Sequence, residues 1–178
     1  MTTYVIVVVN KTKLYPGIDP YIPKPAMGNM LPTTKGYDEK YQEKLDKIQM
    51  ELVADPLFAY PTEVSIQFAS IDAGSLTTGP VKNYSDKDLL TSAELRLHPQ
   101  QRLEDYAVIG VNPYVDRSLI TSYLVRNKTE LPYWCNPSVD VFDVWKTMTG
   151  SNDWRTVAAL WDLPKDPVDA TLELLKRL

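Results

Sequence analysis

Cysteine and histidine are nearly absent from this chain. Cys135 is its one cysteine and His98 its one histidine. A single cysteine excludes an intrachain disulfide and a zinc site built from several cysteines, so we expect a reducing, cytoplasmic environment. His98 stands between Leu97 and Pro99 with no acid or serine beside it. This setting favours a structural or exposed histidine over a catalytic one.

Long apolar runs and an excess of basic residues are also missing. No run approaches the roughly 20 apolar residues of a membrane helix, and the N-terminus lacks the basic region of a signal peptide. We therefore expect no membrane association. The formal net charge of −4 over 178 residues gives no broad attraction to nucleic acid, so any such contact has to be local. The length suits a single domain, residues 1–178.

Three segments have the composition of β-strands. Residues 4–9 are mostly β-branched, which is typical of a central strand covered on both faces. Residues 63–72 alternate apolar and small polar side chains, which indicates a strand with two unlike faces. The apolar run before Gly110 is too short for a helix and fits a covered strand. Helical patterns lie between and after these strands, so the sequence predicts an α/β fold.

A long segment, whose two halves differ in composition, separates the first two predicted strands. Residues 15–35 contain five prolines, which forbid a long regular element and indicate an ordered loop or flap, or a disordered insert. Residues 37–53 are strongly charged and predict an amphipathic helix of about four turns. Its apolar stripe either packs on the parent domain or binds a partner. The stripe consists of Tyr41, Leu45, Ile48 and Leu52.

Residues 107–120 predict a strand, a sharp turn and a helix. Gly110, Asn112 and Pro113 break the strand, and apolar residues then recur at helical spacing. Asp116 stands at the start of this helical pattern. Its carboxylate either lies above the end of the strand, as in a functional site, or only stabilises the N-terminal turn of the helix.

The segment around Asp116 resembles the second acidic motif of the DEDD-type 3′–5′ exonucleases. In that family a Gly-His-Asn element is followed by an apolar residue and then an aspartate. Here Gly110-Val111-Asn112 is followed by Val115 and Asp116. Valine takes the place of the histidine, a departure that leaves the metal-binding acid in place.

Other segments resemble the same family in order and spacing. Residues 63–72 are similar to its second strand, and Asp169 begins a compressed version of its last motif. Asp140 matches an aspartate that opens another helix in the family. The family's water-positioning histidine or tyrosine is replaced here, because the corresponding positions hold Pro164 and Lys165.

The strongest motif of the family, Asp-x-Glu directly after the first strand, is missing. The two positions hold Asn10 and Thr12, which cannot replace two metal-binding carboxylates. The resemblance therefore leaves three candidate ligands for a hard divalent cation, Mg²⁺ or Mn²⁺. They are Asp116, Asp169 and Asp140, and the first two are also the remnant catalytic residues.

The resemblance implies an RNase H-like α/β domain, a mixed sheet flanked by helices with residues 15–53 inserted between the first two strands. The leading hypothesis is a degenerate 3′–5′ exonuclease relative that cuts weakly or not at all and binds nucleic acid or a protein partner. One alternative is an active Mg²⁺-dependent exonuclease whose first motif lies elsewhere. Another is a regulatory interaction protein, such as a viral accessory protein, that binds its partner through residues 15–53.

Overall fold

A computed structural model describes residues 2–95, 106–132 and 142–177. Within these ranges the chain forms five strands and six α-helices. The strands are β1 (Thr2–Leu14), β2 (Ala59–Asp72), β3 (Ser75–Thr78), β4 (Lys82–Ser85) and β5 (Tyr106–Ile109). The helices are α1 (Tyr37–Leu52), α2 (Asp86–Thr91), α3 (Pro113–Arg126), α4 (Asp143–Thr149), α5 (Trp154–Leu160) and α6 (Pro167–Arg177).

The strands form one mixed sheet in the order β3-β2-β1-β5, and β4 pairs with β2 beyond the end of β3. β1 is antiparallel to β2 along its whole length. On its other edge β1 is parallel to β5, but this pairing ends where Ile6 lies opposite Ile109. The carboxyl half of β1 therefore continues past its parallel neighbour.

Helices cover both faces of this sheet, as the α/β prediction requires. Successive side chains of a strand point to opposite faces. Val5 and Val7 pack in a buried cluster with α2 and α3, whereas Ile6 and Val8 pack in a second cluster with α5 and α6. All four side chains are buried. Burial on both faces explains why β1 is a continuous apolar run, and the prediction of a covered central strand is confirmed.

The segment between β1 and β2 leaves the sheet and returns to it at one place. The Tyr15 N–H donates to the Phe58 carbonyl at 2.9 Å, which closes the base of the segment. α1 stands where the amphipathic helix was predicted, but none of its residues is fully buried. The Lys44 ammonium donates to the Ala26 carbonyl and thereby connects α1 to the proline-rich part.

The structure differs from the sequence prediction at one hairpin. The sequence predicts a turn made by Gly74 and residues 77–80, followed by a short third strand at residues 81–84. In the structure the turn is formed by Ala73 and Gly74, whose φ angles are 48° and 79°, and Thr77 and Thr78 already belong to β3. Two adjacent residues with positive φ match the twist of a tight hairpin, so the polar residues that follow pair as a strand.

Some predicted features fall outside the described residues. They are Asp140, Cys135, His98 and a helix expected at 99–105. Among the helices in the described ranges, none is long and apolar enough to cross a membrane.

Candidate functional site

A cavity of about 370 Å³ lies where β1 runs past the end of β5. Its walls come from the carboxyl half of β1, from the turn after β5 and from the N-terminal ends of α3, α5 and α6. In α/β proteins, ligands commonly bind beyond the carboxyl ends of adjacent parallel strands. The polar residues that line the cavity are Asn10, Asn112, Asp116, Asn152, Asp153, Arg155 and Lys165.

Asp116 is held in the wall of this cavity by a contact with β1. α3 begins at Pro113, earlier than predicted, so Asp116 lies within its first turn and is only 7% exposed. Its Oδ2 accepts a hydrogen bond from the Val9 N–H at 3.2 Å. Since β5 pairs with β1 only as far as Ile6, the carboxylate supplies an acceptor where the strand partner has ended. Burial raises the pKa of Asp116 to about 7, and the hydrogen bond from Val9 opposes this rise.

Gly110 directly follows β5. It allows the chain to turn there in close contact with the backbone of β1. A Cβ atom at this position would lie 2.5 Å from the Val7 carbonyl oxygen, well inside ordinary contact distance. Any larger residue would push the turn away from β1, and the start of α3 with it. Gly110 was predicted to break the strand. It is also required for the close approach of this turn to β1, which brings Asp116 to Val9.

Asn10, which stands where the exonuclease resemblance implies a carboxylate, lies in the carboxyl half of β1 and lines the cavity. Its Nδ2 donates to Ser65 Oγ at 2.7 Å, and Ser65 Oγ donates to Asn83 Oδ1 at 2.7 Å. These hydrogen bonds cross β1, β2 and β4 at a point where β1 and β2 shift register. Thr12, the other predicted motif position, is not among the residues that line the cavity. The two motif positions are therefore not equivalent in the structure.

Two cationic side chains, Arg155 and Lys165, line the side of the cavity formed by α5 and the approach to α6. The guanidinium carbon of Arg155 lies 5.4 Å from the centre of the Trp154 ring, a cation–π distance. Asp153 caps α5, because its carboxylate accepts hydrogen bonds from the Arg155 N–H and the Thr156 hydroxyl. These two hydrogen bonds hold the pKa of Asp153 below its ordinary value.

Neither cation stands in a recognisable sequence motif. Lys165 occupies a position where the exonuclease resemblance implies a histidine or a tyrosine, and Arg155 carries no signal of its own. α5 and the loop after it separate the two residues along the chain. Only the packing of α5 and α6 on one face of the sheet brings both side chains to the same cavity.

The carboxylates of the described residues do not form a metal centre. Within residues 2–95, 106–132 and 142–177, no group of three or more His, Cys, Asp or Glu side chains could hold an ion. Asp169 is exposed in the first turn of α6 and is not among the residues that line the cavity. The donors present do not fit the two-metal cluster that the exonuclease resemblance implies. A role for Asp169 or Asp140 as a metal ligand stays a prediction.

Comparison with known proteins identifies no relative. No protein-family model matches the chain, and no curated protein matches its sequence significantly. The geometry of the cavity therefore carries the functional argument.

Proposed function

We propose that the chain is an RNase H-like domain related to the DEDD-type 3′–5′ exonucleases. The support comes from the sheet, in which β1 is antiparallel to β2 and parallel to β5. The helix that follows β5 carries Asp116 back to the part of β1 that extends past β5, where its carboxylate accepts a hydrogen bond from the Val9 N–H. This order of strands and this position of an acid are compatible with an RNase H-like fold.

We infer further that the cavity binds single-stranded nucleic acid through its phosphates. The observation that carries this inference is the composition of the cavity. Two cationic residues and three asparagines line it together with two acids, Asp116 and Asp153, of which Asp153 is engaged in capping α5. The asparagines are Asn10, Asn112 and Asn152. Cations and N–H donors are the usual ligands of nucleic-acid phosphates. The cavity volume of about 370 Å³ suits one nucleotide of a single strand better than a duplex. Contact through two local cations also agrees with a net charge of −4, which gives no general attraction.

Cleavage by this cavity is weak or absent in our proposal. The carboxylates that line it are Asp116 and Asp153, and Asp153 is engaged in capping α5. Two-metal cleavage needs a cluster of carboxylates around both ions. With Mg²⁺ or Mn²⁺, the purified protein should leave a labelled single strand intact or shorten it slowly. A rapid ladder that disappears in Asp116→Asn would instead show that the chain is an active exonuclease.

Fluorescence anisotropy of a labelled single-stranded oligonucleotide tests the binding. The protein should bind equally well in EDTA and in Mg²⁺, and the affinity should fall as salt is added. Arg155→Gln with Lys165→Gln should weaken binding by about tenfold or more, since both phosphate-binding cations are lost. The matched control, Lys87→Gln with Lys128→Gln, removes the same charge from exposed positions outside the cavity and should change little. Equal weakening by both pairs would contradict binding in the cavity.

Exposed apolar side chains on the inserted segment favour a second candidate, a surface for a protein partner. Tyr21, Leu31 and Met50 all stand out into solvent in the segment between β1 and β2. Large exposed apolar residues in one segment are typical of binding surfaces. Deleting residues 18–54 separates the two candidates, because oligonucleotide binding survives the deletion if the cavity is the site. Loss of that binding in a folded deletion variant would place the site on the insertion.

A further inference from the structure

A second cavity, of about 450 Å³, adjoins the first along α5. The two cavities share Trp154, Arg155 and Lys165. The rest of the second cavity is lined mainly by small or apolar side chains. These other lining residues are Ala158, Ala159, Asp162 and Leu163. A polar cavity and a largely apolar one therefore meet at a boundary that contains two cations.

Trp154 fixes one of these cations at the boundary. Its indole is buried and contacts Phe142 edge to face, with ring centres 6.3 Å apart. The Arg155 guanidinium lies 5.4 Å over the same indole ring. An aromatic ring that is held by the core restricts the positions open to a guanidinium stacked on it. Arg155 is thus positioned between the two cavities, and Lys165 lines both of them.

We propose that the two cavities form one composite site for a nucleotide that carries a terminal phosphate. Arg155 and Lys165 bind the phosphate at the boundary, and the apolar cavity takes the flat base. The sugar that joins them also lies at the boundary and turns its hydroxyls toward the amides of the polar cavity. Inorganic phosphate would leave the apolar cavity empty, and an uncharged apolar ligand would make no ionic contact with Arg155 or Lys165. This proposal rests on the function proposed above, because it assigns a ligand to the same two cations.

Calorimetric titration of the whole chain with AMP, adenosine and inorganic phosphate, all in EDTA, tests the composite site. AMP should bind at least about tenfold more tightly than adenosine or inorganic phosphate, since it alone occupies both cavities and the boundary. Oligonucleotides with a 5′-phosphate or a 5′-hydroxyl distinguish the two sources of this ligand. A phosphorylated strand that binds more tightly than AMP assigns the site to strand ends, and the reverse assigns it to free nucleotides. Adenosine or phosphate binding as tightly as AMP would overturn the proposal.

Ala159→Trp provides a test that leaves the cations in place. Ala159 is exposed on α5 and lines only the second of the two cavities, so an indole there should fill that cavity without disturbing the core. Affinity for AMP should fall about tenfold while the weak binding of phosphate persists. Leu160→Trp is the matched control, because Leu160 is exposed beside it and is not a lining residue. Unchanged AMP affinity in Ala159→Trp overturns the inference.

Failure of this inference and failure of the proposed function give different results. If the 5′-hydroxyl oligonucleotide binds through Arg155 and Lys165 but AMP does not bind, the composite site is wrong and the proposed function stands. If AMP binds and no oligonucleotide binds, the nucleotide site stands and the nucleic-acid function is wrong. Circular dichroism melts of each variant establish that losses of binding occur in folded protein.

Discussion

Replacing Asp116 with asparagine removes a carboxylate whose ionisation opposes folding. Burial raises the pKa of this group from 3.8 to about 7. Between these two values the folded state holds a proton that the unfolded chain has released, so stability falls as the pH rises through this window. The asparagine side chain would still offer an oxygen to the Val9 N–H, which the carboxylate now accepts at 3.2 Å. The substitution therefore removes the titration and keeps the hydrogen bond.

The size of the effect follows from the pKa of the folded protein. A rise to about 7 corresponds to about 4 kcal/mol of stability lost across the whole window, at about 1.4 kcal/mol per pH unit. Urea unfolding followed by tryptophan fluorescence measures it. The free energy of unfolding of Asp116→Asn, minus that of the wild type, should increase by about 3 kcal/mol between about pH 5 and about pH 8.

Asp153→Asn is the control for this experiment, since Asp153 lines the same cavity. Its pKa is lowered by the N–H of Arg155 and the hydroxyl of Thr156, so its charge stabilises the fold above about pH 4 and that stabilisation is lost at lower pH. The difference between Asp153→Asn and the wild type should therefore be flat from about pH 5 to about pH 8. A flat difference for Asp116→Asn as well would refute the argument that burial holds the Asp116 carboxyl protonated.

Three further changes test the turn after β5, the segment between β1 and β2, and the two predicted motif positions on β1. Gly110→Ala should destabilise the protein by about 1–3 kcal/mol in urea unfolding, because its Cβ would meet a backbone oxygen at 2.5 Å. Gly79→Ala, whose Cβ would lie 3.7 Å from its nearest neighbour, should cost much less, and similar costs would contradict the steric argument. Replacing residues 18–54 with a short Gly-Ser turn should preserve one cooperative thermal transition, because α1 has no buried residue; a broad or absent transition would show that the α1 stripe belongs to the core. Asn10→Asp should strengthen Mn²⁺ binding, measured by water proton relaxation, whereas Thr12→Glu should not, and equal effects would show that both positions reach the cavity.

The elements that were well predicted carry their signals within a few residues. Ser85 and Asp88 form a reciprocal capping box at the start of α2, which the sequence shows as Ser-Asp-Lys-Asp. Gly150, with a φ of 70°, ends α4 in the left-handed conformation that glycine adopts readily. β1 is recognisable because burial on both faces demands a continuous apolar run. Such signals are local, and no knowledge of the fold is needed to read them.

The candidate site depends on contacts that no local pattern encodes. Asp116 and Val9 are hydrogen-bonded across 107 positions of the chain. The motif resemblance placed the acid near a strand end, but its burial and raised pKa come from the packing of α3 on the sheet. Arg155 and Lys165 line the same cavity only because α5 and the approach to α6 pack beside the same part of the sheet. For these residues the sequence supplies the chemical groups, and their proximity follows from the fold alone.

The hydrogen bond from the Val9 N–H does not require residue 116 to be an acid. The Val9 N–H needs one acceptor oxygen, and an asparagine would supply it without an ionisable group in the buried wall. At neutral pH the buried carboxyl opposes folding, so the structural role alone does not account for an acid at this position. A ligand that donates a hydrogen bond to the carboxylate, such as a sugar hydroxyl, would account for it. AMP should therefore bind Asp116→Asn more weakly than the wild type, although the loss of the titration favours folding of the variant at high pH. Unchanged affinity would show that the acid has no role in binding.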